Sequence, residues 1–174
     1  MEDDRLERWV NSSHALAKIE PFMIPVVQGL GRIDIFLIQS DHKFGELKPK
    51  EIESSGASTA LTDKFTLSYL WVLGAYELVR TIDQRCRATP DLLGSPITTT
   101  VNEVKRTFER LRVPLAKFEP AKRHEATDSH IAYPAINENL GVFWRVSPDK
   151  YIGRRELSDI LLDLLERIAV NHLP

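Results

Sequence analysis

The residues best equipped for chemistry lie in the second half of the chain. Between Lys105 and Arg123 stand Lys105, Arg106, Arg110, Arg112, Lys117, Lys122 and Arg123, opposed only by Glu109 and Glu119. On a helix Arg106 and Arg110 fall one turn apart, and Lys117 lies two turns beyond Arg110. The run therefore predicts a basic face that binds phosphates through charge-assisted hydrogen bonds or docks an acidic partner. A solvated bundle face is the competing account, since no aromatic residues interleave on that face to stack bases. Just beyond, His124, Glu125, Asp128 and His130 supply imidazole and carboxylate donors. Their spacing fits no zinc pattern and a polar loop explains them as well, so no metal site is expected.

Covalent chemistry finds less support. Cys86 stands at the end of an apolar stretch with no histidine nearby in sequence, which suits a packed small residue better than a nucleophile. No serine sits in a nucleophile-elbow sequence, no P-loop is present, and Gly29-Leu-Gly31 lacks the third glycine, the preceding strand and the distant acid of a dinucleotide fingerprint. No cofactor is expected. The last helical stretch does end in Arg167-Ile-Ala-Val-Asn-His172. An arginine, four residues and a histidine closing a bundle helix resembles the motif of the HEPN superfamily, small helical proteins many of which are metal-independent ribonucleases acting as dimers. The resemblance implies that Arg167 stabilises phosphate in the transition state while His172 moves a proton during attack by the RNA 2′-hydroxyl. It is carried by this motif and by helical character. Ile168 departs from it, standing where a polar residue commonly follows the arginine.

The elements that must position these groups follow from composition and period. The chain has 174 residues, of which 43 % are hydrophobic and 28 % charged, with a net charge of −2. That suits one globular domain over 1–174 and disfavours a disordered chain or a fibre. A single cysteine and the acidic start MEDDRLERW point to a reducing cytoplasm without an export signal. The most apolar stretch, Leu67 to Val79, is broken by Glu77 and is too short for a membrane span.

Apolar residues recur at steps of three and four in four places. Leu16, Ile19, Met23, Val26, Leu30, Ile33 and Leu37 form the first stripe, with a break expected near Pro21 to Pro25. A polar connection is expected over about 40–62, where Gly45, Pro49, Gly56 and several serines gather. Phe65 to Val79 is apolar on nearly every side and predicts a buried central helix, with Glu77, Arg80 and Asp83 sharing its exposed strip or lining a cavity. A third helix is expected from a capping box at Thr100 and Glu103, on a stripe of Ile97, Val101, Val104, Phe108, Leu111, Leu115 and Phe118, with Pro114 as a kink or end. A hairpin over about 130–147 turns at Asn137 to Gly141, with Pro134 restricting its first strand to an edge. The last helix should span about 154–172.

The reading is a mainly α, four-helix-bundle-like single domain with a small β-hairpin before the C-terminal helix, and an apolar interior with nothing reactive between the helices. Such a chain is expected to be a cytoplasmic, non-enzymatic module that binds a protein partner or itself as a homodimer. Nucleic acid is the further candidate partner through the basic helix, and the HEPN-like ribonuclease is the alternative function.

Overall fold

The computed structural model describes residues 2–52, 54–137 and 140–172, and the side chains of all of these except 2, 3, 49, 52 and 172. The fold is mainly α, as the periodicity requires. Helix α1 (Glu2–Ser13) leads through a 3-10 turn (His14–Lys18) into α2 (Met23–Gly45); a one-turn α3 (Pro49–Ile52) precedes the long α4 (Ser55–Ala88); α5 (Ser95–Lys117) and α6 (Arg154–His172) complete the bundle. Between α5 and α6 lies an antiparallel sheet of β1 (Tyr133–Asn137), β2 (Gly141–Ser147) and β3 (Lys150–Gly153), in that spatial order.

The sheet extends the expected hairpin by one strand. Tyr133 pairs with Arg145 and Ile136 with Val142, while Trp144 on β2 faces Ile152 on β3. Pro134 lies on the edge strand β1, where its missing donor breaks no second ladder. Val142, Trp144, Val146 and Ile152 are buried in the same core as the helices. Trp144 is thus a core residue. Within the expected turn, residues 138 and 139 lie outside the described residues.

Three expectations about helices need correction. The polar connection over about 40–62 is largely helical: α2 continues to Gly45, and α4 begins at Ser55, where Ser54 Oγ accepts from Ala57 N–H at 3.2 Å. Of the serines that look like linker residues, Ser54 is the helix cap, a role that its short hydroxyl suits, and Ser55 and Ser58 lie within α4. Helix α5 starts earlier than Thr100, with Gly94 as N-cap and Pro96 in the first turn, so the Thr100–Glu103 box is not used. Thr100 Oγ1 instead donates to the Pro96 carbonyl. Pro114 neither ends nor breaks α5, which runs on to Lys117 and stops at Phe118 in a left-handed conformation.

The first stripe is correct at Leu16, Met23, Leu30 and Leu37, which are buried, and wrong at Val26 and Ile33. The buried residues of α2 are Met23, Val27, Leu30, Gly31, Asp34, Leu37 and Asp41, whereas Val26 and Ile33 are exposed. At the alternate positions the seam runs one residue later than the apolar pattern suggests, through Val27 and Asp34, and two of its positions are aspartates. Helix α1, with no stripe of its own in the sequence reading, packs on α2 through Trp9, whose side chain lies against the Cα of Gly31.

Candidate functional site

The basic run divides into two groups once its partners are seen. Lys105 Nζ lies 2.7 Å from Asp83 Oδ2, and Asn102 donates to the other oxygen of the same carboxylate. Arg110 makes a two-pronged contact with Asp128, both bonds at 2.8 Å. Arg112 stacks on Tyr76 and approaches Glu77 at 3.9 Å, and Lys117 sits 3.5 Å from Glu119. Burial would push the Asp83 and Asp128 carboxyls up. Lys105 and Asn102 in the first case, and Arg110 and Thr127 in the second, outweigh that and hold both below the ordinary carboxylate range. Four of the seven cations thus tie α5 to α4 and to the loop that follows.

Arg106, Lys122 and Arg123 remain exposed, without an ion pair among the described residues. Two adjoining hollows gather them. One of about 220 Å³ is lined by Arg106, Glu109, Arg110, Lys122, Arg123 and His124. The other, of about 270 Å³, shares Arg106, Arg110 and His124 and adds Lys150 of β3 and Glu156 of α6. The helical phase of α5 supplies Arg106 and Arg110. A short 3-10 turn at Lys122–His124 folds the remaining cations back over them.

The other candidate groups are placed more simply. Among the described residues no three His, Cys, Asp or Glu side chains converge as a ligand set, and Asp128 of the histidine cluster is occupied by Arg110. Cys86 is buried, which pushes its thiol up from the ordinary value. Glu77 and Arg80 pair on the exposed strip at 2.8 Å. Arg167 projects from the exposed side of α6, and its carbonyl accepts from Asn171 Nδ2 at 2.7 Å. The His172 side chain lies outside the described residues.

The bundle interior contradicts the expectation of a purely apolar seam. Arg154, at the start of α6, is fully buried; its Nη1 donates to Asp34 Oδ1 at 2.6 Å and its Nη2 to Asp41 Oδ2 at 3.3 Å, and its guanidinium lies 5.9 Å from the Trp71 ring. Asp34 also accepts from Arg5 Nε at 2.7 Å and from Trp9 Nε1 at 3.2 Å. Asp41 has Lys64 Nζ 3.3 Å away, and that ammonium donates to the Ser40 carbonyl at 2.6 Å and sits over the Phe44 ring. Burial pulls Lys64 below its ordinary pKa, Asp41 opposes this, and Arg154 adds to it. Four helices, α1, α2, α4 and α6, are joined through these two carboxylates. A sequence signal existed: Asp34 and Asp41 are one heptad apart, in phase with Val27, Leu30 and Leu37.

The opposite side of α2 is apolar as well. Phe22 just before it and Val26, Ile33 and Phe36 within it are exposed, Phe22 by 81 % and Phe36 by 55 %. At 100° per residue these positions and Gly29 fall within about 80° of arc and span about 21 Å along the axis. Exposed Leu70 of α4 adds to the apolar surface, and beside Phe36 a groove of about 390 Å³ opens toward Ser40, Asp63 and Leu67. Among the described residues no helix is long and apolar enough to cross a membrane. Compared with family models, with curated proteins and with solved structures, the chain finds no match.

Proposed function

We propose that this chain is a helical module that works by binding, and that its first partner is a second copy of itself docked on the outer face of α2. The observation that carries the reading is the order of residues along that face. Phe22, Val26, Gly29, Ile33 and Phe36 read alike in both directions: an aromatic at each end, a β-branched residue inside each, and glycine at the centre, seven residues from either phenylalanine. Two such ridges crossed antiparallel about Gly29 bring each Phe22 to the other copy's Phe36. This is the self-complementarity that a two-fold interface demands. A Cβ built on Gly29 meets nothing within 4 Å, so the centre of the ridge is open to a close neighbour.

A binding role is also supported by the charged groups inside the bundle, which pair with each other across helices as a structural clamp does. Light scattering at tens of micromolar is expected to give twice the chain mass of 19.9 kDa. Ile33→Glu buries a carboxylate at the crossing and should return the mass to that of one chain, with the helical circular dichroism unchanged. A wild-type chain that scatters as a monomer, or an Ile33→Glu variant that keeps the doubled mass, overturns the proposal.

A further inference from the structure

Beyond self-association, and without depending on it, we infer that the cleft between α5, the 3-10 turn at Lys122–His124 and β3 holds the phosphodiester backbone of a single-stranded nucleic acid. The first argument is one of leftover charge. Lys105, Arg110, Arg112 and Lys117 are each neutralised by an acid of this chain, whereas Arg106, Lys122, Arg123 and Lys150 are not. These four cations face two carboxylates, Glu109 and Glu156, in the cleft, leaving an excess of two positive charges on a chain whose net charge is −2. Such a concentration of one sign in a concave site focuses the field on an anion.

The second argument is shape. The two hollows meet at Arg106, Arg110 and His124, and each has cations of its own, Lys122 and Arg123 on one side and Lys150 on the other. Several successive anionic groups, up to one for each unpaired cation, fit this layout better than a single one. Arg106 and Arg110 stand one turn apart, about 5.4 Å along α5, and so present donors in a row to a chain of phosphates. Arg110 is held in place by Asp128, which fixes the floor between the hollows. No Phe, Tyr or Trp lines either hollow and the one ring there is the small imidazole of His124, so the contact reads the backbone with little sequence preference.

The test is fluorescence anisotropy of a labelled oligouridine of about twelve nucleotides, repeated with oligodeoxythymidine, from 50 to 200 mM salt. Saturable binding is expected for both strands, with a log–log salt slope of about −2 to −3, as three to four phosphate contacts on a single strand require. Lys122→Ala with Arg123→Ala should reduce that slope by about 1.4, and Lys150→Ala by about 0.7, because each removes phosphate contacts. All three side chains are exposed, so the fold is retained. Lys43→Ala, an exposed cation on α2 away from both hollows, should leave the binding as it is. No saturable binding at 50 mM salt, affinity indifferent to salt, or affinity untouched by the three substitutions overturns the inference. So does polyglutamate binding more tightly than the strand, which marks an acidic protein partner, or displacement of the strand by an equal concentration of pyrophosphate, which marks a small phosphate ligand.

Discussion

Asp34→Ala is expected to lower folding stability by about 3–5 kcal/mol, because removing one member of a buried ion group leaves its partners charged and unpaired. Arg154 is fully buried, and its shortest contact is the 2.6 Å bond to Asp34. Without that carboxylate its remaining acceptor is Asp41 at 3.3 Å, Trp9 Nε1 loses its acceptor, and Arg5 keeps only Ser158 and Asp159. A loss of this size is a large part of the ~5–15 kcal/mol that holds a typical domain together. Urea denaturation followed by tryptophan fluorescence reads it as a fall in midpoint at unchanged slope. Asp34→Leu combined with Arg154→Met should recover much of the loss, since an apolar pair of similar volume avoids the desolvation that the ion pair needs contacts to offset. If Asp34→Ala unfolds within about 1 kcal/mol of the native chain, the clamp does not hold the helices together.

Gly31→Ala is expected to destabilise by about 1–3 kcal/mol, although alanine is the better helix former. A Cβ at that position would stand 2.6 Å from Trp9 Cγ and 2.7 Å from Trp9 Cβ, inside van der Waals contact with a ring that has no exposed surface. The indole cannot swing away without drawing Nε1 off Asp34, so α1 must lift from α2. Gly74→Ala on α4 provides the contrast. Its Cβ would meet Leu30 Cδ2 at an ordinary 3.5 Å, so helix propensity prevails and stability should rise by up to about 1 kcal/mol. Thermal or urea unfolding of the two variants should therefore shift in opposite directions; a stabilised Gly31→Ala chain would mean that α1 does not pack as described.

These residues also mark where the sequence was legible. Period alone located α4, α5 and α6, because Val72, Val79, Val104, Phe108, Leu111, Leu157, Leu161 and Leu164 are apolar positions that became buried ones. It misplaced the α2 seam because hydrophobicity favours Val26 and Ile33, while the bundle buries Val27 and Asp34. Only the meeting with Arg154, 120 positions later, makes an aspartate acceptable there. Helix α1 was missed for the same reason, since Arg5 and Arg8 look like surface charge until Asp34 and Glu166 are beside them. The basic run was recognised as one face because its cations are neighbours in sequence. Asp83 and Asp128, which remove Lys105 and Arg110 from it, come from elements that no local pattern connects to α5.

The outer ridge of α2 was hidden inside that misread stripe, and it now carries the proposed function. The chain has one native thiol, Cys86, and it is buried, so a cysteine introduced at the surface reports alone. Helices crossing at about 9–10 Å with Cα atoms about 2.3 Å from each axis leave facing Cα atoms ~4.4–5.4 Å apart, within the span of a disulfide. Gly29→Cys placed on the two-fold axis should therefore oxidise in air to a covalent dimer, while Arg167→Cys on exposed α6 stays largely a single chain on a non-reducing gel. A Gly29→Cys protein that remains monomeric, or couples no faster than Arg167→Cys, contradicts self-association through α2.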